Sequence, residues 1–130
     1  MGGYAFLAVG MGAATGAWLR WWLGILLNPL FPTLPLGTLV ANLLGGFLMG
    51  MVMQLLIQHA VLAPELRLAI TTGFLGGLTT FSTFSAETVT LLLREEYLWT
   101  LVIVLVHVFG SVAMTLLGIV AMKLLTTGTP

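Results

Sequence analysis

Cysteine is absent from this chain of 130 residues, and charged residues are scarce. Without cysteine, disulfides and thiol chemistry are excluded. Charged residues make up 6% of the chain, whereas soluble domains average roughly 25%. So few charges cannot solvate a globular surface, and 59% of the residues are apolar. The composition indicates an integral membrane protein, and the lack of basic clusters argues against a nucleic-acid partner.

Four apolar segments cover about residues 4–27, 36–58, 64–93 and 97–125. About 20 apolar residues cross the hydrocarbon core of a bilayer, so each segment predicts a transmembrane helix. The first segment has no basic region before it and no obvious cleavage site, so we expect a retained helix and not a signal peptide. The sequence predicts a single all-α, four-helix transmembrane domain over residues 1–130.

Local signals mark where the helices begin and end. Asn28-Pro29 ends the first segment, and Gln58-His59 ends the second. Pro64, followed by Glu65, is typical of a helix start and opens the third segment. The run 94–96 predicts a tight turn, and the tail from residue 126 onwards is expected to fray.

The basic residues give no orientation for this helical array. Four spans place both termini on one side, so Arg67 and Lys123 lie near one face and Arg20 and Arg94 near the other. The tie fits a chain that inserts in both orientations, and it fits equally a chain with too few charges to bias insertion. Gly12-x-x-x-Gly16 in the first segment, with a similar pair in the second, supports tight helix association. We expect a dimer, although such pairs can also serve packing within one chain.

The stretch TTGFLGGLTTFSTFSAE, residues 71–87, is unusual in so apolar a chain, because it holds seven hydroxyl residues and three glycines. Gly73, Gly76 and Gly77 favour a break in the third helix, since glycine weakens a helix. A break frees backbone groups that must be satisfied by protein, water or an ion. Close packing of helices through the glycines is the alternative.

Several polar side chains within the segments need a reason. Asn42 is interpreted either as an interhelical hydrogen-bonding group or as a donor that lines an ion path. Arg20, among tryptophans, either reaches the headgroups or faces an aqueous vestibule that attracts anions. Ser111 is central in the fourth segment. His107 is expected to have a hydrogen-bonded packing role, although a titrating role is possible for a histidine.

A polar stripe follows the break. At about 100° per residue, an arc of about 80° contains five residues of the third segment, namely Thr80, Thr83, Glu87, Thr90 and Arg94. Glu87 is a functional-site hypothesis by default, and a salt bridge to Arg94 or Arg20 is the structural alternative. Phe81 and Phe84 share one face and are typical of packing, although aromatic ring edges could stabilise an anion.

These motifs resemble the Fluc (CrcB) family of fluoride channels over nearly the whole chain. The likeness is carried by Arg20, by GTLVANLLGG at 37–46, by the stretch 71–87 and by the Gly-Ser pair at 110–111. It implies an antiparallel, dual-topology homodimer of four-helix subunits, with the third helix broken at mid-membrane. It also implies a fluoride-selective channel in the cell inner membrane that passively exports cytoplasmic fluoride.

The resemblance further implies roles for individual residues. A structural sodium ion on the two-fold axis would bind the backbone carbonyls of Gly76 and Thr79. Arg20 would lie in the vestibule. The fluoride pore would be formed by seven residues: Phe81, Phe84, Asn42, Ser82, Thr83, Ser111 and Glu87.

Two other classes of membrane protein remain as alternatives. A small, dual-topology, proton-coupled exporter would need a titrating carboxylate, and Glu87 is the only acid in the middle of a segment. A non-transporting assembly subunit would not need Asn42 and the hydroxyl cluster. An enzyme is not expected, since the sequence shows no nucleophile–base pair and no metal-ligand constellation.

Overall fold

The computed structural model describes residues 2–58 and 62–128, which form helices and turns without a strand. The first, second and fourth predicted segments are single helices: α1 (Gly3–Leu27), α2 (Leu36–Gln58) and α6 (Tyr97–Thr127). The third segment is divided into α3 (Pro64–Leu68), a π-helical run (Ala69–Leu75), α4 (Gly76–Leu78) and α5 (Phe81–Leu93). The chain is therefore all-α, with four helical segments in its described part.

The predicted starts and turns agree closely with the structure. Pro64 is the first residue of α3, with Glu65 in the first turn. The turn after α5 is a Schellman motif, because Glu95 has a φ of 58° and the amides of Glu95 and Glu96 donate back to the last turn of α5. The fourth helix extends two residues beyond the predicted end, to Thr127. His59, named at the end of the second segment, and the last two residues lie outside the described residues.

The predicted break in the third segment is present, and a π-helical run precedes it. The backbone leaves the helix only at Thr79 and Thr80, after the glycines and not at them. The π-helical run Ala69–Leu75 was not predicted from the sequence. π-helical turns are rare in proteins, and those that occur are often found at functional sites.

The glycines pack helices against one another within a single chain. A Cβ atom at Gly16 would collide with the carbonyl oxygen of Phe74, and one at Gly77 would collide with that of Ala13. Similarly, a Cβ atom at Gly50 would collide with the carbonyl of Thr115 on α6. The glycine pairs of the first two segments therefore serve packing within the chain, which is one of the two roles considered from the sequence.

The surface is that of a membrane protein. By length and apolarity alone, two helices of the described chain, Leu36–Gln58 and Tyr97–Thr127, could cross a bilayer. Only 22% and 17% of their most apolar windows are buried within the chain, so they are not core helices of a soluble domain. The outward faces of α1 and α6 carry large exposed apolar residues such as Phe6, Trp21 and Phe109.

Candidate functional site

The break between α4 and α5 is the centre of the candidate site. Thr79 and Thr80 have extended backbones, with ψ angles of 154° and 114°. The amide and the hydroxyl of Thr79 both donate to the carbonyl of Leu75, at 3.0 and 2.9 Å, and so end α4. The backbone of Thr80 belongs to neither helix and is buried. As the N-cap of α5, Thr80 offers its carbonyl to the first turn of that helix, but its amide has no helical partner and needs one from elsewhere in the fold.

The side chain of Asn42 on α2 bonds to the amide and also to the carbonyl of Thr80. The amide of Thr80 donates to Asn42 Oδ1 at 2.7 Å, and Asn42 Nδ2 donates to the carbonyl of Thr80 at 3.1 Å. The carboxamide thus pairs with the chain as a second peptide group would in a sheet. Without Asn42 the buried amide of Thr80 would be unpaired, at a cost of about 1–3 kcal/mol, whereas its carbonyl would still serve the first turn of α5. Asn42 therefore stabilises the break between α4 and α5.

Asn42 has one further donor, and it binds His107. Asn42 Nδ2 lies 3.0 Å from His107 Nδ1 on α6, while the imidazole ring stacks on Phe84 with the ring centroids 4.6 Å apart. His107 is buried, and its Nε2 has no hydrogen-bond partner among the described residues. The expected hydrogen-bonded packing role of His107 agrees with these contacts.

A cavity of about 520 Å³ lies beside the break and opens to the surface of the chain. Phe81 and Phe84 form part of its wall, with an edge-to-face contact at 5.5 Å between the ring centroids. Phe84 is 7% exposed, whereas Phe81 is 78% exposed and projects out of the chain. The cavity also includes four of the eight other predicted site residues: Asn42, Gly76, Thr79 and Ser111.

The hydroxyl of Ser111 makes no hydrogen bond within the described chain, whereas its carbonyl accepts from Thr115 at 3.0 Å. Thr115 also donates to the carbonyl of Gly46 at 3.0 Å, which ties α6 to α2 beside the cavity. Ser111 therefore presents a free hydroxyl to the cavity, as a donor for a ligand there would have to do.

Ser82 and Thr83 belong to the cap of α5 and do not line the cavity. Thr80 Oγ1 accepts from the amide of Thr83 at 3.1 Å, as an N-cap residue does. Its hydroxyl donates to Thr83 Oγ1 at 3.0 Å, and Ser82 Oγ lies 3.3 Å away. The three hydroxyls form one network that fixes the first turn of α5.

Glu87 lies further along α5, outside the cavity wall. Its Oε1 accepts from the hydroxyl of Thr38 at 2.6 Å, and its Oε2 is buried without a partner in the described chain. No described basic side chain pairs with Glu87, so the salt bridge to Arg94 or Arg20 considered from the sequence is not formed. Thr38 was missed at that stage, although it precedes Asn42 by one helical turn and shares its face.

Arg20 contacts the third segment and not a carboxylate. Arg20 Nε donates to the carbonyl of Gly77 at 3.0 Å, and the side chain is half-buried. A cation at the C-terminal end of a helix is favourable, because the last carbonyls carry partial negative charge. The other guanidinium donors of Arg20 make no hydrogen bond within the described residues.

The carbonyls around the break differ in how they are used. The carbonyls of Leu75, Gly77 and Thr80 each accept a hydrogen bond. Those of Gly76 and Thr79 accept none from the described chain, since the amide of Thr80 is bound to Asn42. No cluster of three His, Cys, Asp or Glu side chains is found in the same ranges. A cation at this place would therefore be held by backbone oxygens.

The sequence matches the family model described as "CrcB-like protein, Camphor Resistance (CrcB)" over residues 7–119. It is 64% identical over 123 residues to a protein of Nitrosospira multiformis named "Fluoride-specific ion channel FluC", covering 95% of this chain and 96% of that protein. Proteins of the same name from Aromatoleum aromaticum and Thiobacillus denitrificans are 58% and 54% identical, over 90% and 93% of this chain and 89% and 98% of their own length. The chain therefore belongs to the CrcB-like family.

Proposed function

We propose that this chain forms a fluoride-selective ion channel that passively exports fluoride from the cytoplasm, as a multi-pass protein of the cell inner membrane. The observation that carries the proposal is the cavity that brings together Asn42, Phe81, Phe84 and Ser111. These residues come from three helices, α2, α5 and α6, which the fold brings together at one cavity. The relatives named as fluoride-specific ion channels support the same function.

The chemistry of the cavity suits a small, strongly hydrated anion. Fluoride gives up its water only where several donors replace it, and it leaves again only where none of them binds it too tightly. The Ser111 hydroxyl and the positive ring edges of Phe81 and Phe84 are such weak donors. Among the described residues, no lysine, arginine, aspartate or glutamate lines the cavity. An anion would therefore find many weak contacts and no fixed countercharge that traps it.

A second copy of the chain would complete the site. Gly76 is exposed and Thr79 half-exposed on the open side of the break. Irregular backbone does not face lipid within the hydrocarbon region, because lipid offers no hydrogen bonds. A partner subunit that covers this side would bury the free carbonyls together with the projecting ring of Phe81. The proposed partner is an antiparallel second copy, in a dual-topology homodimer, and the tied count of basic residues is compatible with this arrangement.

The free carbonyls of Gly76 and Thr79 fit a structural sodium ion. Both have no donor in the described chain, and hard cations prefer oxygen ligands. A bound sodium ion would offset the partial negative charge at the carbonyl end of α4. Two such carbonyls from each subunit of a dimer would give a set of oxygens around a shared axis.

The remaining predicted residues extend the path away from the cavity. Arg20 would attract anions to a vestibule, because its uncommitted guanidinium N–H groups lie beside the end of α4. Ser82, Thr83 and Glu87 would form a polar track along α5 towards the opposite end. Glu87 is bonded to Thr38 and lies outside the cavity wall, so the proton-coupled exporter is not favoured.

Fluoride efflux from liposomes tests the proposal. Purified protein is reconstituted with internal potassium fluoride, and efflux is started with valinomycin and followed with a fluoride electrode. We expect fast efflux in the wild type and a fall of about tenfold or more with Phe81→Ile, which removes a ring-edge contact. Phe6→Ile is the matched control, because Phe6 is as exposed as Phe81 but lies on the outer face of α1. Efflux that saturates slowly or needs a proton gradient would indicate a carrier, and no efflux from inserted protein would refute the channel.

The sodium ion has its own test. The midpoint of thermal unfolding of the purified protein is measured in sodium chloride and in N-methyl-D-glucamine chloride of equal ionic strength. A cation that binds only the folded state raises the midpoint with its concentration. We expect a rise with sodium that saturates; equal midpoints in both salts at all concentrations would argue against a resident ion.

A further inference from the structure

His107 holds the one position on α6 that bonds to Asn42 and packs on Phe84. The Nδ1 atom lies 3.0 Å from Asn42 Nδ2, and the ring stacks on Phe84 with 30° between the planes. Both partners line the cavity. Asn42 in turn holds both backbone groups of Thr80, so a chain of contacts leads from His107 to the break.

The bonding pattern determines which nitrogen of His107 carries a hydrogen. A backbone amide can only donate, so the Asn42 atom 2.7 Å from the Thr80 amide must be the oxygen. The atom that meets His107 is therefore the amide nitrogen, which also can only donate. His107 Nδ1 must accept, and the ring hydrogen must lie on Nε2. A ring with hydrogens on both nitrogens would set donor against donor.

We propose that His107 is a positioning residue of the anion path, and that it acts through the Nδ1 lone pair by fixing the carboxamide plane of Asn42. This inference rests on the proposed function. Among the described residues the contact of Nδ1 with Asn42 is the one hydrogen bond of the ring, because Nε2 has no partner there. With its second N–H held, the carboxamide of Asn42 cannot rotate away from Thr80. The cavity wall and the break then keep one arrangement while ions pass.

Two substitutions separate the hydrogen bond from the ring contact. His107→Phe keeps a ring against Phe84 and removes the acceptor, whereas His107→Asn removes the ring and can place a carbonyl oxygen near the position of Nδ1. In the liposome assay we expect fluoride efflux to fall about tenfold or more with His107→Phe, the effect of one unpaired buried donor. We expect His107→Asn to stay within about threefold of the wild type for the same reason.

A spectroscopic measurement on the wild type keeps the inference testable if a variant fails to fold. Solid-state ¹⁵N NMR of the protein in lipid, with His107 assigned as the signal that remains in His59→Gln, should show an unprotonated Nδ1 and a protonated Nε2 at neutral pH. The opposite tautomer, or a doubly protonated ring, would overturn the proposal. So would wild-type efflux with His107→Phe, or loss of efflux with both variants, which would make the ring itself essential. If the wild type conducts no fluoride, the proposed function fails instead.

Discussion

The two halves of the third segment differ in role: the first packs against α1, and the second exposes polar and aromatic side chains. The half before the break packs glycines against the backbone of α1, so closely that a Cβ atom at Gly77 or Gly73 would meet backbone atoms. The half after the break carries hydroxyls and exposes Phe81 and Ser82. Between them, the backbone of Thr80 relies on Asn42. The glycines therefore hold the segment in place, and the polar residues beyond them are left available for a ligand or a partner.

The largest effect should follow from separating the first half from α1. Gly16→Leu places a side chain against the carbonyl oxygen of Phe74. Because the clash is with backbone, neither α1 nor the third segment can relieve it by changing a side-chain rotamer. We expect a loss of at least about 3 kcal/mol, or no folded protein, measured as monodisperse yield and thermal unfolding in detergent. Gly10→Leu on the same helix is the control, because nothing lies within 4 Å of its Cβ position. Equal behaviour of the two variants would contradict the packing role of Gly16.

The break itself should be the next most sensitive place. Asn42→Leu conserves volume approximately and leaves the amide of Thr80 unpaired. We expect a loss of about 1–3 kcal/mol in the free energy of unfolding, from this buried donor, together with loss of efflux. Denaturant unfolding and the liposome assay measure the two consequences. Asn42→Leu protein as stable as the wild type would mean that other groups satisfy Thr80.

The cap of α5 should give a smaller effect. Thr80→Val keeps the branched shape and removes the hydroxyl that accepts from the amide of Thr83. Loss of an N-cap costs about 1 kcal/mol, and we expect that change in the unfolding free energy. Thr90→Val is the control, because the hydroxyl of Thr90 only donates back to Ala86 within α5. A cost in both variants would point to a general effect of threonine loss.

The smallest change in stability should come from the cavity wall. Ser111→Ala removes a hydroxyl that makes no hydrogen bond in the described chain, so the unfolding free energy should stay within about 0.5 kcal/mol. Fluoride efflux should nevertheless fall several-fold, because a donor to the ion is lost. Ser85→Ala, at an exposed position on α5, should change neither quantity. A stability loss without a change in efflux would assign Ser111 to packing instead.

Much of the fold could be predicted from the sequence because its signals are local. Apolar length predicted the four segments, Pro64 predicted the start of the third, and Gly73, Gly76 and Gly77 favoured a break in the third helix. The glycines were less decisive, since the same residues can break a helix or pack it. In the structure they pack, and the two threonines after them leave the helix.

The pairing of side chains could not be predicted in the same way. Asn42 and Thr80 are 38 residues apart, and Asn42 and His107 are 65 apart. Periodicity tells which face of a helix a residue occupies, but not how that helix is rotated against its neighbours. The bond between Thr38 and Glu87 was missed for this reason, as was the capture of the Gly77 carbonyl by Arg20.

The π-helical run Ala69–Leu75 determines how the rest of the third segment is rotated about the helix axis. A π-helical turn contains one residue more than an α-helical turn. It therefore accommodates an extra residue while the chain after it keeps its direction. If the run were α-helical, each residue that it no longer accommodated would rotate the following chain by about 100° about the helix axis and shift it by about 1.5 Å along that axis. Thr80 would then leave Asn42. The contact between Thr80 and Asn42 therefore depends on a stretch of backbone that forms no hydrogen bond with either residue.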